Sequence, residues 1–152
     1  MVLLTRPLSQ AGIFQSLLED SDLDYVLFPA IEINKVSAKT PKQLYDVVVF
    51  VSVNAVIYSK EHLNFAIKES TKIFAVGSTT ARCISDNGLR VDGFPANEAS
   101  SENLLAMPEF SLTDKKILIV RGRGGSEVLR NELIKENIVD YLEVYERMLL
   151  IN

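Results

Sequence analysis

The chain is poor in the residues that most often announce chemistry. Its 152 residues include one cysteine (Cys83), one histidine (His62) and no tryptophan. A single cysteine excludes an intrachain disulfide and fits a reducing cytosol. One histidine and one cysteine cannot build a zinc site, so no metal is expected. No apolar run approaches the roughly 20 residues that a membrane helix needs. Met1-Val2-Leu3-Leu4-Thr5-Arg6-Pro7 has no basic region followed by a long apolar run, so no secretory signal is expected. Excess charge is lacking too: 16 Lys and Arg against 20 Asp and Glu leave −4. Neither nucleic acid nor a membrane is then an expected partner. No pair of carboxylates is spaced for glycosidase chemistry, because Asp46 and Asp92 open strands rather than end them.

What is present is a chain with ample material for a core, 47% hydrophobic and 24% charged. Its organising stretch is Ile117-Leu118-Ile119-Val120 followed by Arg121-Gly122-Arg123-Gly124-Gly125-Ser126 and then Val128, Leu129, Leu133 and Ile134. Four apolar residues in a row suit a strand covered on both faces. The glycines permit a tight turn and close approach, and the last four residues fall at helical spacing. A strand, a glycine turn and a helix start aim free N–H groups at one point, which suits an anion. A tight turn that binds nothing has the same appearance.

Read in order, Val2 to Thr5 is a short strand, and a helix follows Pro7, capped by Ser9 and running to about Glu19. Tyr25 to Phe28 is a second strand, so residues 1–34 hold one β-α-β unit. Ile31-Glu32-Ile33 alternates like an exposed or bridging strand. Residues 35–45 read as a linker. Residues 46–145 then alternate strand and helix through five strands: Val47–Val51, Ile73–Val76, Val91–Phe94, Ile117–Val120 and Tyr141–Tyr145. Helices are expected from about Ala55 to Ile67, from Ser78 to Ile84 ending at Asn87-Gly88, from Ser100 to Met107, and from Ser126 to about Glu136. This is an α/β pattern of the flavodoxin-like or Rossmann-like parallel kind, in which ligands lie beyond the carboxyl ends of the strands. Three turns share that edge: Ser52-Val53-Asn54, Gly77-Ser78-Thr79-Thr80 and Gly122-Arg123-Gly124-Gly125. His62 is expected on an exposed helix face and Cys83 in the core. Gly122 to Glu127 matches only the first part of a dinucleotide fingerprint, with Glu127 where the third glycine belongs.

Six stretches taken in order resemble the uroporphyrinogen-III synthase family. They are Leu4-Thr5-Arg6-Pro7, Phe28 to Ile33, Phe50 to Val56, Ala75 to Ala81, Leu118 to Gly125 and Leu142 to Arg147. The resemblance implies a lyase that closes the linear tetrapyrrole hydroxymethylbilane, inverting its last pyrrole ring and losing water, without metal or cofactor. It implies two flavodoxin-like domains joined by a connector, with the cleft between them. Tyr145 matches the family tyrosine that assists loss of the hydroxyl. Arg6, Ser52, Asn54, Ala55, Gly77, Ser78, Thr80, Arg121, Gly122 and Gly124 match substrate-binding positions. Val51 and Val53 depart from the Thr and Pro of many members. After Tyr145, residues 146–152 resemble the start of a connector that returns to the first domain. Residues 1–34 are then only part of that domain, to be completed by a missing C-terminal half or a second chain. Two alternatives stand beside this: a non-catalytic anion-binding or interaction domain of the same fold, and a nucleotide-binding oxidoreductase fragment.

Overall fold

A computed structural model describes residues 1–150, so Ile151 and Asn152, the end of the expected connector, lie outside the described residues. The chain separates into two compact units, Lys35–Tyr145 and Met1–Asn34 together with the chain from Glu146 on.

The larger unit is built on parallel strands. β4 (Val47–Phe50) lies between β5 (Lys72–Ala75) and β6 (Lys116–Gly122), and β6 pairs with β7 (Ile138–Leu149), all in parallel. All four β4 residues are buried, as a central strand covered on both faces demands. Each such side chain contributes about 1.5–3 kcal/mol by leaving water. Alternation along the strands divides the core. Val47, Val49, Phe74, Ile117, Ile119 and Val139 pack with Leu104 of α4 (Ser101–Leu105) and with Leu129 and Leu133 of α5 (Val128–Leu133). The intervening residues face α2 (Val53–Ser59) and α3 (Ser78–Asp86), which bury Ala55, Val56, Ala81 and Ile84.

The smaller unit contains β1 (Val2–Leu4), α1 (Leu8–Asp20) and β2 (Tyr25–Leu27), with β1 and β2 parallel. Leu3 and Val26 pair in register, and both are exposed, as are Ile13 and Leu17 on α1. β3 (Ile31–Lys35) is hydrogen-bonded to β7.

Several elements differ from expectation. Val91–Phe94 is not a strand: only Gly93 bridges to Phe74, because the Asp92 carboxylate accepts the Ile73 N–H at 2.8 Å and replaces part of the ladder. The strand that follows β7 in the pairing order is instead β3. Pro7, not Ser9, sits at the N-cap of α1, with no side-chain cap. α2 stops at Ser59, followed by a single 3-10 turn, Lys60–His62. That change of pitch turns His62 inward, so it is buried, not exposed. Its Nδ1 meets Thr40 Oγ1 at 2.8 Å; among the described residues its Nε2 makes no hydrogen bond, although Glu61 Oε1 lies 3.4 Å away. Cys83 is half-buried rather than core, and burial pushes its thiol pKa up. α5 begins at Val128 and ends at Leu133, short of the expected Glu136.

Candidate active site

The registers Phe50↔Ala75 and Phe50↔Val120 set three strand ends side by side. The turns after β4, β5 and β6 therefore leave the same edge of the larger unit. Ser52 caps α2, its Oγ accepting the Ala55 N–H at 3.1 Å. Gly77 is the N-cap residue of α3, with Ser78 exposed and Thr80 buried in the first turn. The Thr80 hydroxyl forms no hydrogen bond among the described residues.

The fourth contribution comes from β7. Pairing advances in step from Lys116↔Ile138 to Arg121↔Glu143, and then Gly122 pairs with Tyr145. Val144 is the extra residue of a β-bulge, a device that re-aims a side chain at the end of a ladder. Without it Tyr145 would follow Tyr141 and Glu143 onto the α5 face. With it Tyr145 lies on the α2 face, its ring 6.3 Å from that of Tyr58. The ring crosses Gly122 so closely that a Cβ there would stand 2.6 Å from two ring carbons. Its Oη reaches Ser52 Oγ at 2.9 Å, and its carbonyl accepts the Arg123 N–H at 2.8 Å. Tyr145 is 4% exposed.

Arg121, 3% exposed, serves the glycine turn itself. Its Nε–H donates to Gly122 O at 3.0 Å, and its Nη1 donates to Ser126 O at 3.2 Å and Glu127 Oε1 at 3.0 Å. Its guanidinium stacks on Tyr141 at 4.3 Å, with Glu143 Oε2 at 3.8 Å from Nε. Gly124, at φ +69°, makes the left-handed step that lets the turn close over the arginine. Glu127, which stands where a dinucleotide fingerprint has its third glycine, is thus a partner of Arg121.

The structure therefore places Ser52, Asn54, Gly77, Ser78, Thr80, Gly122, Gly124 and Tyr145 in the three turns and the bulge of one unit. The Ala55 N–H is already used by the cap, and Arg121 is spent on the turn. Arg6 belongs to the other unit, over the ring of Phe14 at 4.2 Å. Sequence reasoning missed Tyr58, because an aromatic at helical spacing reads as core. It also missed the Ser52–Tyr145 contact, which depends on a bulge that has no local signature.

The turn cluster also sets a pH response. Tyr141 Oη donates to Glu127 Oε2 at 2.6 Å. Burial, and then this bond, push the Tyr141 phenol up to about 12, while the same bond holds the Glu127 carboxyl below its usual value. The folded state keeps the phenol proton longer than the unfolded chain does. The contribution of Tyr141 is therefore complete below about pH 10 and is lost as pH rises through about 12. The contribution of Glu127 is lost as pH falls through its lowered value. Melting temperature measured between about pH 9 and about pH 12 is expected to fall with pH, and Tyr141→Phe is expected to flatten that slope.

A unit with parallel strands covered by helices is an α/β protein, and in open sheets of that class the carboxyl ends of the strands are the usual place for a ligand. Comparison with known proteins narrows the class. The family model for uroporphyrinogen-III synthase HemD matches residues 13–150. The uroporphyrinogen-III synthase of Chlorobaculum parvum is 32% identical over 130 residues, covering 80% of this chain and 52% of that protein. A putative uroporphyrinogen-III synthase of Methanocaldococcus jannaschii is 30% identical over 138 residues, covering 87% and 57%. A solved uroporphyrinogen III synthase from Thermus thermophilus shares the fold, with TM-score 0.71 and 20% identity over 98% of this chain and 63% of that one. The chain belongs to the uroporphyrinogen-III synthase family. It spans about half the length of the curated relatives it matches.

Proposed function

We propose that this chain works in tetrapyrrole synthesis as a cytoplasmic uroporphyrinogen-III synthase, or as the part of one that carries its tyrosine. The substrate is hydroxymethylbilane, which is closed with inversion of the last ring. The observation that supports this best is the hydroxyl of Tyr145, brought by a bulge and a glycine to the edge where three amide-bearing turns meet. In this reading Tyr145 gives its proton to the departing hydroxyl. The C–O bond breaks with its electron pair on oxygen, water leaves, and a pyrrole nitrogen lone pair stabilises the carbocation. The turns at Ser52-Asn54, Gly77-Thr80 and Gly122-Gly124 hold substrate carboxylates, a task for amides rather than a catalytic triad. No cofactor is required.

Residues 46–145 are read as a flavodoxin-like domain, with 35–45 as its linker and 1–34 as part of a second such domain. The exposed Leu3, Ile13, Leu17 and Val26 of that part are the apolar surface that the remaining length of the relatives would cover, on a continuing chain or a second one.

The test is to generate hydroxymethylbilane in place, add the chain, oxidise the products and separate the isomers. Type III above the uncatalysed background is expected, and type I alone would overturn the catalytic reading. Tyr145→Phe is expected to lower kcat by about 10²–10⁴-fold, as for loss of a positioned acid. Its thermal stability should change by only about 1 kcal/mol, one hydrogen bond. A second reading, a non-catalytic anion-binding domain, is favoured by the internal engagement of Arg121. It would show as tetrapyrrole binding without turnover.

A further inference from the structure

We propose that Ser52 is a positioning residue for Tyr145, holding its ring at rest and stabilising its phenolate when the proton leaves. This rests on the reading of Tyr145 as the proton donor. Ser52 Oγ lies 3.1 Å from the Ala55 nitrogen and 2.9 Å from Tyr145 Oη. The Ala55 N–H can only donate, so it occupies one lone pair of Ser52 Oγ. At rest either hydroxyl can donate to the other. Once Tyr145 gives its proton to the substrate, the choice disappears: a phenolate accepts only, and Ser52 holds the one remaining proton between the two oxygens. The chain of bonds then runs in one direction, from the Ala55 N–H to Ser52 Oγ–H and on to the Tyr145 oxygen. A hydroxyl that accepts a bond donates a stronger one, and a bond to an ionised acceptor is about twice as strong as a neutral one. Ser52 also holds the hydroxyl end of the ring, while the missing side chain of Gly122 leaves room for the ring beside β6.

This role is separable from helix capping. Asp caps as well as Ser and much better than Ala, but an aspartate cannot donate and its charge opposes a phenolate. If Ser52 only caps α2, Ser52→Asp is at least as stable and as active as Ser52→Ala. On our proposal Ser52→Asp is the more stable of the two and the less active. Its kcat is expected to fall at least about 100-fold, the scale for a lost donor to developing negative charge, with KM changing less. Ser52→Thr keeps both the cap and the donor and is expected to restore most of kcat.

A second readout needs no turnover. With the tyrosine ring carbon bearing oxygen labelled with ¹³C, and the Tyr145 signal assigned by its absence in Tyr145→Phe, that resonance is expected to move in Ser52→Asp and Ser52→Ala and to stay in Ser52→Thr. Equal kcat for Ser52→Asp and Ser52→Ala, or a Tyr145 resonance indifferent to all three variants, would overturn the proposal. Absence of type III isomer from the unaltered chain would instead remove the catalytic reading and leave the resonance to decide whether Ser52 positions the ring.

Discussion

On the proposed function, Gly122→Ala is expected to cost at least about 100-fold in formation of the type III isomer, for the addition of one methyl group. The new Cβ would stand 2.6 Å from two carbons of the Tyr145 ring, a separation that real Cβ atoms do not show. Gly122 lies in β6, where its backbone is held by pairing, so the ring must yield. A ring that swings away takes its hydroxyl off Ser52 and off the strand-end edge, and a misplacement of about 1 Å in a reacting group is worth about 10²-fold. The fold itself should lose only about 1–3 kcal/mol, the usual cost of overpacking. The variant is thus expected to melt as a folded protein with a defective site. Two controls make the result specific. Gly122→Ala combined with Tyr145→Phe should be scarcely worse than the poorer single variant, because both act on one hydroxyl and neighbouring effects do not add. Gly88→Ala, where a Cβ would meet nothing within 4 Å but φ is +81°, should lower stability and leave the Tyr145 resonance alone. Full activity in Gly122→Ala would mean that the observed ring position is not the working one.

This contact shows where the sequence stops being legible. The parallel core was readable because burial on both faces leaves a composition: Val47-Val48-Val49-Phe50 and Ile117-Leu118-Ile119-Val120 have no polar residue to place. Helix ends were readable because caps and glycines have local chemistry, as at Ser52 and Ser100 where helices start and at Asn87-Gly88 where one stops. Val91–Phe94 misled because a short run beside Pro95 looks the same whether its partner is a full ladder or one bridge completed by the Asp92 carboxylate. His62 misled because its phase was taken from a helix that ends at Ser59. At the site, residue types were legible and their partners were not. The basic character of Arg121 suggested a substrate anion, yet its charge is met by Glu127, six residues on, and by the turn's own carbonyls. Nothing in Glu143-Val144-Tyr145 announces that Val144 is the extra residue, because a bulge is a property of two paired strands.

Arg121→Met is expected to destabilise the larger unit by about 2–3 kcal/mol, although methionine fills most of the same volume. Three donor contacts of the guanidinium, to Gly122 O, Ser126 O and Glu127 Oε1, would be lost, and bonds to charged groups are worth about 1.5–3 kcal/mol each when measured singly. Removing one partner of a fully buried pair costs about 3–5 kcal/mol because the other charge is stranded. Here the stranded carboxylates reach water: the Glu127 and Glu143 side chains are 53% and 38% exposed. That exposure brings the expected loss below the fully buried value. Lysine should recover less than half of it, because a point charge cannot reproduce the forked bonds of a guanidinium or its stacking on Tyr141. The check is urea unfolding, in which the midpoint should fall while the slope stays constant. The same variant should speed hydrogen exchange at the Arg123 N–H, which is bonded to Tyr145 O at 2.8 Å and belongs to the turn that Arg121 holds closed. Exchange there that matches the unaltered chain, with the midpoint unchanged, would mean that the glycine turn holds its shape by backbone alone. Arg121 would then be available to a substrate carboxylate after all. Faster exchange with a lowered midpoint would confine the arginine to the turn and leave carboxylate binding to the amides.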